Sequence, residues 1–197
     1  MVEEAISLPN RGGLPLSSIT DILNGLPSVS AWQERIYKDL HAHPELSFHE
    51  TRTAALMATK LKELGYDVFE QIGRTGVVGI LGNGTGQTVL ARADMDALPV
   101  KERTGLPYAS TLTATDDAGV AVDVSHACGH DVHVTCLLGA AELLARARRS
   151  WSGTFVAVFQ PALGVEPHFD ARRAQRVGNA FRRLGVLGRV GKKDGLA

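Results

Sequence analysis

Three short apolar runs, at residues 77–81, 88–93 and 154–159, with one amphipathic helical stretch at 131–148 before the last of them, most constrain this chain. Each run is the length of a strand and too short for a buried helix. The last, Thr154 to Phe159, is continuously apolar, which suits a strand covered on both faces. The stretch at 131–148 places Val134, Leu137, Leu138, Ala141, Leu144 and Ala145 on one side of a helix. Strands alternating with helices imply an α/β layer architecture, a partial αβα-type domain with helices over a largely parallel or mixed sheet.

Two further helices precede the strands. Ser30 followed by Gln33 reads as a capping box, with Trp32, Ile36 and Leu40 on one face and Pro44 as the stop. Ser47 with Glu50 repeats the device ahead of the stripe Ala54, Met57, Ala58, Leu61, Leu64, which ends at Gly65. Residues 66–69 form another β-rich run. The glycine-rich string Gly82-Asn83-Gly84-Thr85-Gly86 reads as a hairpin-like turn between 77–81 and 88–93. No helix follows it, so it lacks the helix N-terminus that a dinucleotide phosphate needs. Residues 1–27, with Pro9, Gly12, Gly13, Pro15 and Pro27, read as a loose leader with at most a short helix at 19–23.

At 197 residues and 44% hydrophobic content the chain can bury an ordinary globular core. Acids and bases balance overall, but residues 163–197 carry a net charge of +5 and residues 1–162 a net of −5. This basic stretch has little periodicity beyond 180–187 and reads as an unrelated, disordered tail, expected to arise from a frameshifted or truncated reading frame. Its arginines lack interleaved aromatics, so nucleic acid is not an expected partner. No apolar run reaches the roughly 20 residues of a membrane span, and the N-terminus does not resemble a secretory signal. A helix starting near Gly129 would separate Cys128 and Cys136 by about 12 Å at about 1.5 Å per residue, beyond disulfide reach. Free thiols suit the reducing cytoplasm.

Chemistry concentrates on two turns: Ala93-Asp94-Met95-Asp96-Ala97-Leu98-Pro99 and Ser125-His126-Ala127-Cys128-Gly129-His130-Asp131-Val132-His133. Cys128 and His130 flank a glycine at a helix N-terminus, so thiolate and imidazole can face one side of the turn. That pair suits a divalent transition ion, although the alternative is a small thiol beside a hydrogen-bonded histidine. Asp94 and Asp96 are expected to point to opposite faces, one toward the site and one toward the following turn. His126 and His133 are candidates to orient a ligand from behind. His41 and His43, at a helix C-terminus, are read as dipole-stabilised and not as ligands.

Four strings in this order, Leu40-His41-Ala42-His43-Pro44-Glu45-Leu46-Ser47, Arg92-Ala93-Asp94-Met95-Asp96-Ala97-Leu98-Pro99, His126-Ala127-Cys128-Gly129-His130-Asp131 and Phe159-Gln160-Pro161-Ala162, resemble the amidohydrolase branch of the aminoacylase-like metallopeptidases. That branch includes hippurate hydrolases, auxin-conjugate hydrolases and N-acetyl-diaminopimelate deacetylases. The resemblance covers about residues 28–162, the first part of a catalytic domain in that family. It implies a cytoplasmic hydrolase of N-acyl amino acids using two divalent ions, of manganese, zinc or cobalt. It implies Cys128 and His130 as metal ligands and Asp96 as the acid supporting the centre. In the family two glutamates, a base and a ligand, follow Gln-Pro-Ala; here Leu163 and Gly164 stand there, and Glu166 and His168 come three residues late. One weakly held ion at most is therefore expected, with the lid domain and the family's homo-oligomeric contacts outside this chain. A noncatalytic metal-binding or dimerising fragment is the alternative. A sheet without its later strands is also expected to present an unpaired edge.

Overall fold

In a computed structural model, residues 16–161 are described. Their elements are α1 (Leu16–Leu23), α2 (Leu26–Ala42), α3 (Thr51–Glu63), β1 (Asp67–Ile72), β2 (Gly76–Asn83), β3 (Thr88–Asp94), β4 (Thr113–Thr115), β5 (Ala121–Asp123), α4 (His130–Arg146) and β6 (Gly153–Gln160). The basic stretch at 163–197 lies outside the described residues.

Helices α2 and α3 lie close to where the apolar stripes predict, but their N-termini work differently. Helix α2 begins at Leu26 with Pro27 in its first turn, within the stretch read as leader. The fixed φ of proline and its missing N–H suit that position. Ser30 is therefore inside the helix, and its hydroxyl donates back to the Leu26 carbonyl. Gln33 does not cap: its amide donates to the Thr135 carbonyl of α4 at 3.0 Å. It lies so close to Gly139 that a Cβ there would sit 2.0 Å from Gln33 Nε2, so the glycine lets α2 and α4 approach. At α3, the expected cap residue Ser47 donates instead to Asp96. The carboxylate of Glu45 takes the free N–H groups of Arg52 and Thr53, at 2.8 and 2.7 Å, where a negative charge also meets the positive end of the helix dipole.

The main sheet has the order β1-β2-β6-β3. Strands β1 and β2 are antiparallel, β2 and β6 antiparallel, β6 and β3 parallel. The sheet is thus mixed. Strand β6 lies between β2 and β3, so the glycine string at 82–86 joins two strands that are not neighbours and is not a hairpin. The expected pairing was local in sequence; the observed one forms only when β6, some 60 residues later, enters the sheet.

Residues on β2 alternate between two apolar layers, which explains its nearly unbroken hydrophobic run. Val77 and Leu81 join Phe155, Ala157 and Phe159 in a cluster with Leu40, Met57, Leu61, Val134 and Leu138 from the helices. Val78 and Ile80 join Val156 on the opposite face. The edge strand β3 leaves Val89 and Leu90 more than half exposed, as expected for an edge with no partner among the described residues. A small satellite cluster of Leu46, Ala97 and Val124 sits under the loop that follows β3. No helix among the described residues is long and apolar enough to cross a membrane.

Leu61 is fully buried and its methyls fill the space above Gly79. Leu61→Ala is expected to lower unfolding free energy by about 2–5 kcal/mol, read from the shift in urea midpoint with an unchanged denaturant slope.

Candidate metal centre

Parallel pairing of β3 with β6 sets Asp94 level with Gln160, each the last residue of its strand. The Met95 N–H donates to the Gln160 carbonyl at 2.9 Å, carrying the pairing one step past Asp94. Both strands therefore end on the edge of the sheet where α/β folds gather ligands. Helix α4, whose first residue is His130, packs against β3 and brings its N-terminus to the same region.

Asp94 and Asp96 have different partners, but not through strand alternation. A spacing of two within a strand places side chains on one face; the acids diverge because β3 ends at Asp94. Asp94 pairs with Arg92, which also reaches Gln160 Oε1 at 3.4 Å. Asp96, 8% exposed, accepts from the Ser47 hydroxyl at 2.9 Å.

Asp96 also anchors His130. The Nδ1 of His130 lies 2.9 Å from the Asp96 carbonyl and 2.9 Å from its Oδ1. Two acceptors on one ring nitrogen fix the proton there, which leaves Nε2 with a free lone pair. This is the arrangement by which a ligating imidazole is commonly oriented. Cys128 is exposed and unoxidised, two residues before His130 and across Gly129, whose φ of +74° makes the sharp entry to α4. Cys136 is likewise a free thiol. Among the described residues no cluster of three or more His, Cys, Asp or Glu is placed to hold a metal ion. Cys128 Sγ and His130 Nε2, the donors the sequence nominates, would supply half of a usual four-coordinate set.

The other two histidines of the turn stand differently. His133 is exposed, with its ring centroid 6.1 Å from that of His130. His126 is 7% exposed, and neither ring nitrogen has a hydrogen-bond partner. Burial pushes its pKa down, aided by the charges of His41 and His130 and opposed by Asp131 and Asp96. His126 is therefore held neutral among charged neighbours.

The residue that sequence reasoning passed over is His41. It is 8% exposed, with Nδ1 at 2.7 Å from Asp131 Oδ2 and Nε2 at 3.0 Å from Glu102 Oε1. Burial disfavours its charge, but the two carboxylates more than offset that and raise its pKa. Glu102, also burdened by burial, is held below its ordinary value by Thr104, His41 and the Ser110 N–H. The rings of Tyr37 and Tyr108 flank His41 with centroids 5.6 and 5.4 Å away. His43, two residues on, is a simpler case: its Nδ1 lies 2.7 Å from the Asp39 carbonyl at the helix end. Asp131, next to His130 in sequence, was an available signal for the network; Glu102 carries none, since only the fold brings it to His41.

Comparison with known proteins fits this arrangement. Residues 90–162, which take in most of β3, Asp96, Cys128, His130 and all of β6, match peptidase family M20/M25/M40. Over this stretch the chain is similar to that family. It is 46% identical to a hippurate hydrolase of Campylobacter jejuni, over 71% of this chain and 35% of that protein. It is 35% identical to IAA-amino acid hydrolase ILR1-like 5 of Arabidopsis thaliana, over 84% of this chain and 38% of the relative. Among solved structures, the YXEP protein of Bacillus subtilis, a dinuclear metal binding M20 peptidase, superposes with a TM-score of 0.62 at 33% identity, over 82% of this chain and 41% of that one. The chain thus spans well under half the length of these M20 relatives, and its mixed α/β sheet is that of their catalytic domain.

The raised pKa of His41 has a signed consequence. An unfolded imidazole titrates near its ordinary value of 6.5, so the stability His41 adds is full below that pH and is lost as pH rises through its higher folded value. Urea midpoints measured across neutrality are expected to show the parent's advantage over His41→Gln shrinking as pH rises.

Proposed function

We propose that this chain carries the metal-binding portion of a hydrolase that cleaves the amide bond of N-acyl amino acids or similar amino-acid conjugates. The observation that carries the proposal is His130, pinned through Nδ1 by Asp96 with Nε2 left free, at a helix N-terminus entered by an exposed cysteine. Cys128 and His130 would hold a divalent ion of manganese, zinc or cobalt. A thiolate and an imidazole suit such borderline ions, and the helix N-terminus favours the thiolate. When bound, such an ion polarises a carbonyl and lowers the pKa of water.

The chain's own residues then have distinct tasks. Asp96 accepts the His130 Nδ1 proton and so holds the ring in the tautomer that offers Nε2. Ser47, donating to Asp96 Oδ2, fixes that carboxylate in turn. Asp94, paired with Arg92, stands at the end of β3 beside Gln160. The hippurate and IAA-amino acid hydrolases in the comparison support an acyl-amino-acid substrate of small size. The free thiols of Cys128 and Cys136 support a cytoplasmic setting.

A second reading, a noncatalytic metal-binding or dimerising fragment, is favoured by one observation: no group of three or more His, Cys, Asp or Glu among the described residues is placed to hold an ion. Metal content and turnover separate the two. The hydrolase reading expects two ions per chain and release of the amino acid from an acyl-amino acid such as hippurate. The fragment reading expects one ion or none and no release. Where the parent holds metal, Cys128→Ala/His130→Ala is expected to lower its ion content, read by elemental analysis after gel filtration; unchanged ion content in the double variant would contradict the assignment of these ligands.

A further inference from the structure

Helix α4 is held at its N-terminus by two side chains that leave it in different directions. His130 and Asp131 are consecutive, so they project about 100° apart around the helix axis at 3.6 residues per turn. His130 is tied to the Asp96 backbone and carboxylate. Asp131, 1% exposed, is tied to His41, which comes from α2, ninety residues earlier. A single tether leaves a helix end free to roll about it; two tethers a quarter-turn apart fix both roll and tilt. The second matters most for Cys128, which reaches α4 only through the left-handed Gly129.

His41 is itself immobilised from its far side. Glu102, in the segment between β3 and β4, receives His41 Nε2, and its other oxygen takes the Ser110 N–H at 2.6 Å. The loop containing Glu102 begins just past Asp96, so the two tethers of α4 end on one continuous piece of chain. The phenols of Tyr37 and Tyr108 close over the imidazole and limit its rotation. An imidazole suits this place because its two nitrogens donate in nearly opposite directions, to Asp131 and to Glu102; a primary amide cannot span both.

We infer that His41 is a positioning residue for the metal centre: by joining Asp131 to Glu102 it sets the orientation of the first turn of α4, and with it the relative placement of Cys128 and His130. This rests on the assignment of those two residues as ligands. It adds to it a residue that touches neither the ion nor the substrate.

The test is Zn2+ and Co2+ binding by the full chain. His41→Gln is expected to weaken Zn2+ binding by about 10–100-fold and to reduce the thiolate-to-Co2+ charge-transfer absorption contributed by Cys128. Leu61→Ala, which lowers stability far from the turn, is expected to leave both unchanged. Co2+ absorption and Zn2+ affinity equal to the parent's in a folded His41→Gln chain would overturn the positioning role alone. A parent chain that binds neither ion would overturn the ligand assignment as well. Where His41→Gln does not fold, Glu102→Gln serves: it keeps the His41–Asp131 bond but loosens the far anchor, a severalfold weaker Zn2+ affinity is expected, and no change overturns the inference.

Discussion

The entry of β6 between β2 and β3 is the constraint on which the rest depends. It makes β3 and β6 parallel neighbours and brings their last residues, Asp94 and Gln160, to one level. Because β3 stops there, the chain turns at Met95 and presents the Asp96 carbonyl and carboxylate together. Helix α4, which connects back to β6, must start near this turn to cross the sheet, and His130 is its first residue. The bond from His130 Nδ1 to Asp96 is therefore a product of the sheet order as much as of the local sequence.

Two buried imidazoles near the start of α4 are held in opposite states by what surrounds them. His41 lies between two carboxylates, and their attraction outweighs the cost of burying a charge. His126 has no hydrogen-bond partner, and burial keeps it neutral. An ion pair inside a protein gains little net stability, but leaving one member without its partner is costly. That asymmetry makes the His41–Asp131–Glu102 network a rigid spacer between α2, α4 and the segment after β3. A buried imidazole with unpartnered nitrogens, as in His126, carries a desolvation cost of about 1–3 kcal/mol, so the turn holds both a stabilised and a destabilised group.

Much of this was legible in the sequence, where the signal was periodic or local. The stripes Trp32-Ile36-Leu40 and Ala54 to Leu64 became the buried sides of α2 and α3, and the run at 154–159 became a central strand covered on both faces. Gly65 ends α3 with a positive φ, as its place after the stripe implied. What failed depended on distant partners. The glycine string at 82–86 has hairpin chemistry, yet β6 displaced the expected neighbour. Ser30-Gln33 and Ser47-Glu50 have capping-box spacing, yet Gln33 was taken by α4, Ser47 by Asp96, and the α3 cap by Glu45. His41 looked like an ordinary helix-end histidine because neither Asp131 nor Glu102 is near it in sequence; the same reading holds for His43, whose partner is local.

The central claim is that His130 offers Nε2 to a divalent ion because Asp96 holds the proton on Nδ1. Nitrogen-detected NMR of the imidazole side chains, assigned with a His130→Gln variant and followed during addition of Zn2+, tests it directly. The account predicts a His130 proton on Nδ1 before addition and a large shift confined to its Nε2 afterwards. A proton found on Nε2, or a His130 ring that does not respond to Zn2+, would contradict it.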